Sequence, residues 1–173
     1  AAEQGQLDAQ CNLANCYATG DGVPRDLAQA ADWFRKAAEQ GDAKSQSSLG
    51  ILYLWGDGVP QDYAQAAHWL RKAAEQDEET AQYALGLLYL QGDGVPQDEA
   101  QAENWLRKAA ALGHSGARTA LAACQGDAAA QFSLALHYHH QPLERPQDKK
   151  QAFLWAGRAA AQGYAEAQFG LGI

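Results

Sequence analysis

The sequence predicts an all-helical chain built from stacked copies of one helix pair. The string Gly-Asp-Gly-Val-Pro occurs three times with a period of 36 residues, at 20–24, 56–60 and 92–96. Arg-Lys-Ala-Ala occurs with the same period, at 35–38, 71–74 and 107–110. Alanine, glutamine and leucine, which favour helix, dominate between these strings. A fixed period of about 20 to 50 residues is the signature of a solenoid, in which each unit stacks on its neighbours.

The first helix of each unit, helix A, is defined by an apolar stripe that repeats with helical spacing. In the second unit Leu49, Leu52 and Tyr53 lie on one side of the predicted helix. Gly50 removes a side chain beside this stripe, where a neighbouring helix must approach closely. Leucine and tyrosine recur at the same places in the next unit, which indicates that every A helix buries the same face.

The glycine-rich string ends helix A, and an aspartate begins the second helix, helix B. Gly56 follows the last turn of helix A, where a left-handed cap is expected, and Pro60 prevents the helix from resuming. Asp62 is then placed to cap helix B. Asp26, Asp98 and Asp148 occupy the corresponding positions of the other units.

Applied to the whole chain, this pattern predicts four helix pairs and one lone helix. The pairs are expected at about 9–19/26–40, 45–55/62–76, 81–91/98–112 and 128–140/148–162, and the lone helix at 115–124. The core is expected to include Leu49, Tyr53, Trp69, Leu85, Tyr89, Trp105, Leu134 and Trp155. One repeat domain over 1–173 would then comprise units of about 9–44, 45–80, 81–114, 115–124 (degenerate), 128–163 and 165–173 (partial).

The third unit, from Ala81 to Gly113, carries the pattern Ala-x-x-x-Leu-Gly-x-x-Tyr-x-x-Gly-x-Gly-Val, then Asp, then Ala-x-x-Trp-x-x-Lys-Ala-Ala-x-x-Gly. This pattern resembles the Sel-1-like repeat family, a relative of the tetratricopeptide repeat. The resemblance implies a right-handed superhelical solenoid of antiparallel helix pairs with a concave inner face. It further implies an adaptor or scaffold that binds proteins, without catalytic residues, and it is compatible with a periplasmic or secreted location.

Two breaks in the pattern stand out. Residues 1–5 overlay 37–41, which predicts that the chain starts inside the end of a B helix; it finishes in the first half of an A helix and contains no methionine. We therefore expect a segment of a longer protein, whose location this sequence alone does not determine.

Residues 115–124 keep the register of an A helix, but the loop and B helix that should follow are missing. This unpaired helix is expected to change the curvature of the stack.

Composition and motifs exclude several function classes. The net charge is −8 and no basic stripe is visible, which argues against nucleic acid and anionic membrane surfaces as partners. No apolar run approaches the roughly 20 residues that cross a bilayer. Cys11, Cys16 and Cys124 are interpreted as free thiols, because the spacing of the first two does not suit a disulfide within a helix.

Metal and cofactor sites are not predicted. The repeated loops supply two carboxylates each, whereas calcium takes about six to eight oxygens, so the loops are interpreted as helix caps and turns. His137, His139 and His140 cluster at a helix end, and His137 and His140 could share one face of the helix. No third ligand has metal-site spacing relative to that pair, and the histidines are interpreted as solvent-facing or partner-facing. No nucleophile motif, phosphate loop or Cys-x-x-Cys is present, and we expect neither an enzyme nor a cofactor.

A second stripe on the A helices is the candidate binding surface. By resemblance to tetratricopeptide repeats, such positions line the concave groove. The candidate partner-binding residues are Ser47, Leu54, Trp55, Tyr83, Leu90, Gln91, Phe132, His139 and His140. Within the same stripe Ile51, Leu87 and Leu136 are interpreted as inter-repeat core.

Trp55 is the most informative member of this stripe. The equivalent positions of the neighbouring units carry Thr19 and Gln91, so packing does not require a tryptophan there. We therefore predict a partially exposed aromatic strip through Trp55 and Tyr83, extended by Phe132 if the lone helix does not interrupt it.

Three functions fit these features. The leading hypothesis is an adaptor that holds a protein or peptide segment on the A-helix face, with Trp and Tyr as anchors. The alternatives are a structural spacer within a longer solenoid, and a bacterial inhibitor or immunity protein that plugs an effector. The sequence does not identify the partner.

Overall fold

The computed structural model describes residues 2–139 and 146–171, with side chains described for 6–139 and 148–168. These ranges form ten α-helices and no strand. The helices are α1 (Ala2–Thr19), α2 (Leu27–Glu39), α3 (Ala43–Trp55), α4 (Tyr63–Ala74), α5 (Glu79–Gln91), α6 (Glu99–Ala111), α7 (Ser115–Cys124), α8 (Ala128–His139), α9 (Pro146–Ala161) and α10 (Ala165–Leu171).

Successive helices contact each other along the whole chain, as expected of an all-α solenoid of antiparallel pairs. Helices α1, α3, α5, α8 and α10 occupy A positions, and α2, α4, α6 and α9 occupy B positions. Helix α7 is the predicted lone helix; it packs on α6 and on α8.

The caps between helices explain the bounds of each pair. Gly56 ends α3 with a left-handed φ of 74°, as predicted, and the Asp62 carboxylate accepts hydrogen bonds from the backbone of α4. Helices α3 and α5 begin two residues earlier than predicted, because acidic residues cap them as well. Asp42 accepts from the Ser45 amide at 2.7 Å, and Glu78 caps α5 in the same way.

Helix α1 is longer than predicted. Residues 1–5 overlay the end of a B helix in sequence, yet α1 runs from Ala2 to Thr19 without a turn. At the corresponding point after α2 the chain turns at Gly41, and Asp42 then caps the next helix. The residue equivalent to Asp42 is Gln6, which favours helix interiors over caps, so the helix continues.

Helix α9 also begins before the residue predicted to start it. Asp148 lies buried in the first turn of α9 and not before it. The helix starts at Pro146, and proline is favoured in the first turn because its φ is preset and no amide hydrogen is needed there.

The core is a continuous row of small and medium apolar side chains between neighbouring units. The predicted core leucines and the tryptophans Trp69, Trp105 and Trp155 are buried, whereas Tyr53 and Tyr89 are only half-buried. Each of the three main buried clusters contains residues of two successive pairs, so no pair buries its apolar face alone. Gly50 permits the close packing: a β-carbon there would lie 2.7 Å from Leu70 Cγ.

In the second and third units, the second glycine of the repeated loop packs against the preceding unit. Gly58 and Gly94 have φ values of 72° and 70°, so only glycine adopts them without strain. A β-carbon at Gly58 would overlap the carbonyl group of Leu27, and one at Gly94 would overlap that of Tyr63. Gly22, in the first unit, has the same conformation but no such neighbour. The loop is therefore a joint between units as well as a turn.

Polar contacts repeat along the B helices. Lysine ammonium groups lie over the rings of Trp33, Trp69 and Trp105 at 3.6, 4.7 and 4.4 Å from the ring centroids. Arg35 and Arg71 donate to the hydroxyl groups of Tyr53 and Tyr89, on the next A helix, at 3.3 and 3.0 Å. These bonds explain why the two tyrosines are only half-buried.

Glutamine side chains connect the ends of the units. Gln76 donates to Gln46 Oε1 at 2.8 Å, and Gln46 donates in turn to the Ala38 carbonyl at 3.0 Å. Gln40–Gln10 and Gln162–Gln131 repeat the side-chain bond, at 2.7 and 2.8 Å. In the third unit the donor position is occupied by Leu112, which is 50% exposed, and the buried Gln82 Oε1 has no hydrogen-bond partner within the described ranges.

The loop joint generates a first prediction. We expect the unfolding free energy to fall by roughly 1 kcal/mol in Gly94→Ala and in Gly22→Ala, because alanine is strained in the left-handed conformation that both glycines adopt. Gly94→Ala should lose at least about 2 kcal/mol more, because its methyl group meets the backbone of α4. Urea unfolding of the two variants measures the difference. Equal losses would show that the loop is only a turn.

The missing glutamine generates a second prediction. Leu112→Gln should place a donor within reach of Gln82 Oε1 and raise the unfolding free energy by about 0.5–1.5 kcal/mol. Leu112→Asn is the control, since it carries the same amide on a side chain one methylene shorter. A gain of the same size in both variants would attribute the effect to removal of an exposed leucine and not to the new bond.

Candidate partner-binding site

A cavity of about 260 Å³ opens between α3, α5 and α8, and we call it the apolar cavity. Its walls carry no charged side chain apart from the ionisable ring of His137. The lining residues are Ile51, Leu54, Trp55, Thr80, Tyr83, Ala84, Leu87, Leu88, Gln91, His137 and Tyr138. Four of the predicted site residues, Leu54, Trp55, Tyr83 and Gln91, are thus brought together.

The wall formed by α3 lies at the C-terminal end of that helix. Leu54 and Trp55 form the last turn, immediately before the left-handed Gly56. Both side chains are half-buried. This position places the indole of Trp55 at the mouth of the cavity. The equivalent residue in the A helix of the next unit, α5, is Gln91.

Tyr83 forms the centre of the site and is held from two sides. Its ring stacks on that of His114, with centroids 4.3 Å apart, and its hydroxyl lies 3.5 Å from His137 Nε2. Gly116 permits this packing, since a β-carbon there would lie 3.2 Å from the tyrosine ring. The ring is half-buried, and this burial raises the pKa of Tyr83 to about 12. The hydroxyl is therefore a neutral hydrogen-bonding group at physiological pH.

The wall formed by α8 exists because half of a repeat is missing. Helix α7 is followed directly by α8, which carries His137 and Tyr138 to the side of α5. Tyr138 is buried, and burial raises its pKa well above the usual value. His137 is exposed as a residue, but its ring packs on Tyr83 and Tyr138, and this desolvation lowers its pKa.

A second cavity of about 620 Å³ adjoins the first toward the N-terminal ends of the A helices, and we call it the polar cavity. The two cavities share Ile51 and Thr80. The polar cavity is also lined by Asp8, Cys11, Asn12, Asn15, Phe34, Asp42, Lys44, Ser45, Ser47, Ser48 and Glu78.

The predicted aromatic strip does not continue to Phe132. Phe132 and His139 line a third cavity, between α8, α9 and α10, together with Leu136 and Phe153. His137 and Tyr138 stand between this cavity and Tyr83, so the lone helix and its successor interrupt the strip. Leu136 is 40% exposed and Phe153 69% exposed, which corrects the interpretation of Leu136 as inter-repeat core. The core interpretation of Ile51 and Leu87 is corrected in part, because both are half-buried and line the apolar cavity.

Three other candidate residues differ in their placement. Leu90 is 3% exposed and belongs to the core cluster around α7, and Ser47 is 4% exposed. Both side chains expose little surface to a partner, so neither belongs to the candidate binding surface. His140 lies outside the described residues.

Sequence reasoning missed His137, Tyr138 and Thr80 as members of the site. The shortened repeat was the available signal for the first two, because loss of a loop and a B helix must bring α8 nearer to α5. Nothing in the sequence around Thr80 marks it as a site residue. Its place in the cavity lining follows from the start of α5 at Glu79.

Cysteines and possible metal ligands are present among the described residues, some of them in the cavity linings. All three cysteines are free, and burial raises the pKa of Cys124 to about 11, which keeps its thiol protonated and unreactive. Across residues 2–139 and 146–171, no group of three His, Cys, Asp or Glu side chains is arranged to hold a metal ion. Within the same ranges, no helix combines the length and apolar character that crossing a membrane requires.

Solved structures of similar proteins share this fold. The structure of c5321, a protective antigen present in uropathogenic Escherichia coli strains that displays an SLR fold, is 35% identical with a TM-score of 0.64. The match covers 99% of this chain and 41% of that protein. A Sel1 repeat protein from Oxalobacter formigenes is 38% identical over 69% of this chain and 90% of its own, with a TM-score of 0.63. Helicobacter pylori cysteine rich protein B (hcpB) is 27% identical over 67% of this chain and 89% of its own, with a TM-score of 0.56.

These neighbours come from bacteria, which suggests a bacterial source for this chain. No functionally curated protein matches it significantly. The Sel1 repeat family model matches residues 7–42, 43–78, 80–114 and 128–164, and the stretch between the last two matches contains the lone helix α7. Sel1 repeats generally serve protein–protein interaction, and proteins built from them are typically non-enzymatic adaptors. The chain belongs to the Sel1 repeat family.

Proposed function

We propose that this chain is a protein-binding adaptor that holds a peptide segment of its partner at the apolar cavity. The observation that carries the proposal is Trp55, a half-buried indole at the cavity mouth where the equivalent repeats carry threonine and glutamine. Tryptophan and tyrosine are the residues most often found as anchors of protein interfaces. Trp55 and Tyr83 both retain exposed ring surface to offer a partner.

The apolar cavity is large enough for one side chain of a partner. At about 260 Å³ the apolar cavity suits one large apolar side chain, with the rest of the bound segment lying along the A helices.

A spacer role would not account for this arrangement. A spacer needs only the contacts between units, which are the glycine joints, the Arg–Tyr bonds and the glutamine bonds. Thr19 and Gln91 at the positions equivalent to Trp55 show that a repeat does not need a tryptophan there. The proposal concerns this chain only, since it spans 41% of the E. coli protein and the activity of that whole protein is not transferred to it.

The proposal predicts the effect of one substitution on peptide binding. Peptides are selected from a random display library on the purified chain, and their dissociation constants are measured by fluorescence polarisation. Trp55→Gln should raise the dissociation constant by about 30-fold, as loss of an interface anchor worth about 2 kcal/mol does. The variant introduces the residue that already occupies the equivalent position of α5, so we expect it to fold.

Phe153→Gln is the matched control, because it removes an exposed aromatic side chain from the third cavity and leaves the apolar cavity intact. Its binding should equal that of the unmodified chain. If binding is lost in the Phe153 variant and kept in the Trp55 variant, the third cavity is the site. If no selected peptide depends on either residue, the spacer function is the better description.

A further inference from the structure

The polar cavity beside Trp55 favours a different kind of chemical group from the apolar cavity. Its lining includes three carboxylates, Asp8, Asp42 and Glu78, and among the described residues around it Lys44 is the only cation. Asp42 and Glu78 each cap a helix through one hydrogen bond from a backbone amide. A carboxylate offers about four acceptor positions, so capping leaves each of them able to bind a further donor. The cavity is therefore complementary to a cationic group.

This acidic lining is continuous with the apolar cavity. Ile51 and Thr80 belong to both cavities, so the two adjoin at these residues. A segment anchored at Trp55 and Tyr83 that follows α3 toward its N-terminus must pass over the carboxylates. The charges and the apolar cavity thus act on one bound chain.

Helix geometry gives the spacing between the two preferences. The apolar cavity is centred near Leu54 on α3, and the polar cavity near Ser47, about seven residues earlier. At 1.5 Å per residue this is about 10 Å along the helix axis. The polar cavity also lies one A helix further along the stack, between α1 and α3, which adds a lateral step of about 8–10 Å. The two steps combine to about 13 Å, and an extended peptide advances about 3.3 Å per residue, so the distance corresponds to about four peptide residues.

We propose that the bound segment is an extended peptide with a large apolar side chain in the apolar cavity and a lysine or arginine about four residues away in the polar cavity. This inference rests on the proposed function and names the chemistry of the segment. The bound peptides are expected to share one chain direction. The basic residue therefore either precedes the apolar anchor in all of them or follows it in all of them.

The test uses the peptides selected on the unmodified chain and one charge-neutral variant. In Asp8→Asn/Asp42→Asn/Glu78→Gln the side chains keep their shape and their capping oxygens, since asparagine caps helices as well as aspartate does. Circular dichroism and thermal unfolding check that the variant remains folded. We expect the peptides to be enriched in Lys or Arg about four positions from an apolar residue. We also expect the variant to bind them about fivefold or more weakly, with a smaller salt dependence.

The outcomes separate this inference from the proposed function. Peptides that depend on Trp55 but lack a basic residue, and bind the variant unchanged, would overturn the inference and leave the adaptor function standing. Enrichment of acidic residues at that spacing would also overturn it. Peptides that do not depend on Trp55, or no enrichment over an empty surface, would overturn both.

Discussion

The stack depends on one close contact between the backbones of successive units. The second glycine of the repeated loop rests on the first turn of the preceding B helix, at Leu27 in one joint and at Tyr63 in the next. Because no side chain fits between them, the spacing of the units is set by the main chain and not by side-chain size. The alanine rows, the Arg–Tyr bonds and the glutamine bonds all repeat within the frame that this contact defines.

The candidate site lies where that frame is broken. After α7 the loop and its B helix are missing, and α8 follows at once. Contacts then reach across the gap: Arg158 on α9 bonds to Glu99 on α6 at 3.1 Å, and His137 on α8 meets Tyr83 on α5. A regular array would leave the A-helix face of α5 open, whereas here it ends at a wall. The shortened repeat therefore turns an open groove into a cavity.

The sequence predicted the fold well because its signals are local. The repeated loop, the capping aspartates and the apolar stripes each act over a few residues, and their periods fixed the helix pairs and the lone helix. Predictions failed where local and distant effects compete. The stripe on α5 does not reveal that Leu90 faces inward, because that depends on where α7 and α8 pack. Leu136 follows the same spacing as Leu87 and yet is 40% exposed, in the third cavity beside α9 and α10. Trp55 and Tyr83 are half-buried and line one cavity, but their role as anchors for a partner stays a prediction. The separation of Phe132 from them depends on the three-dimensional path of the chain.

The irregular spacing has a consequence for how a long ligand would be read. Identical units offer a bound chain several equivalent registers, so that it can slip by one repeat at little cost. A single short interval removes this equivalence, because among the described residues one place along the array has a wall from α8 beside an indole. If the apolar cavity is the binding site proposed above, the short interval at α7 defines one register for the bound segment.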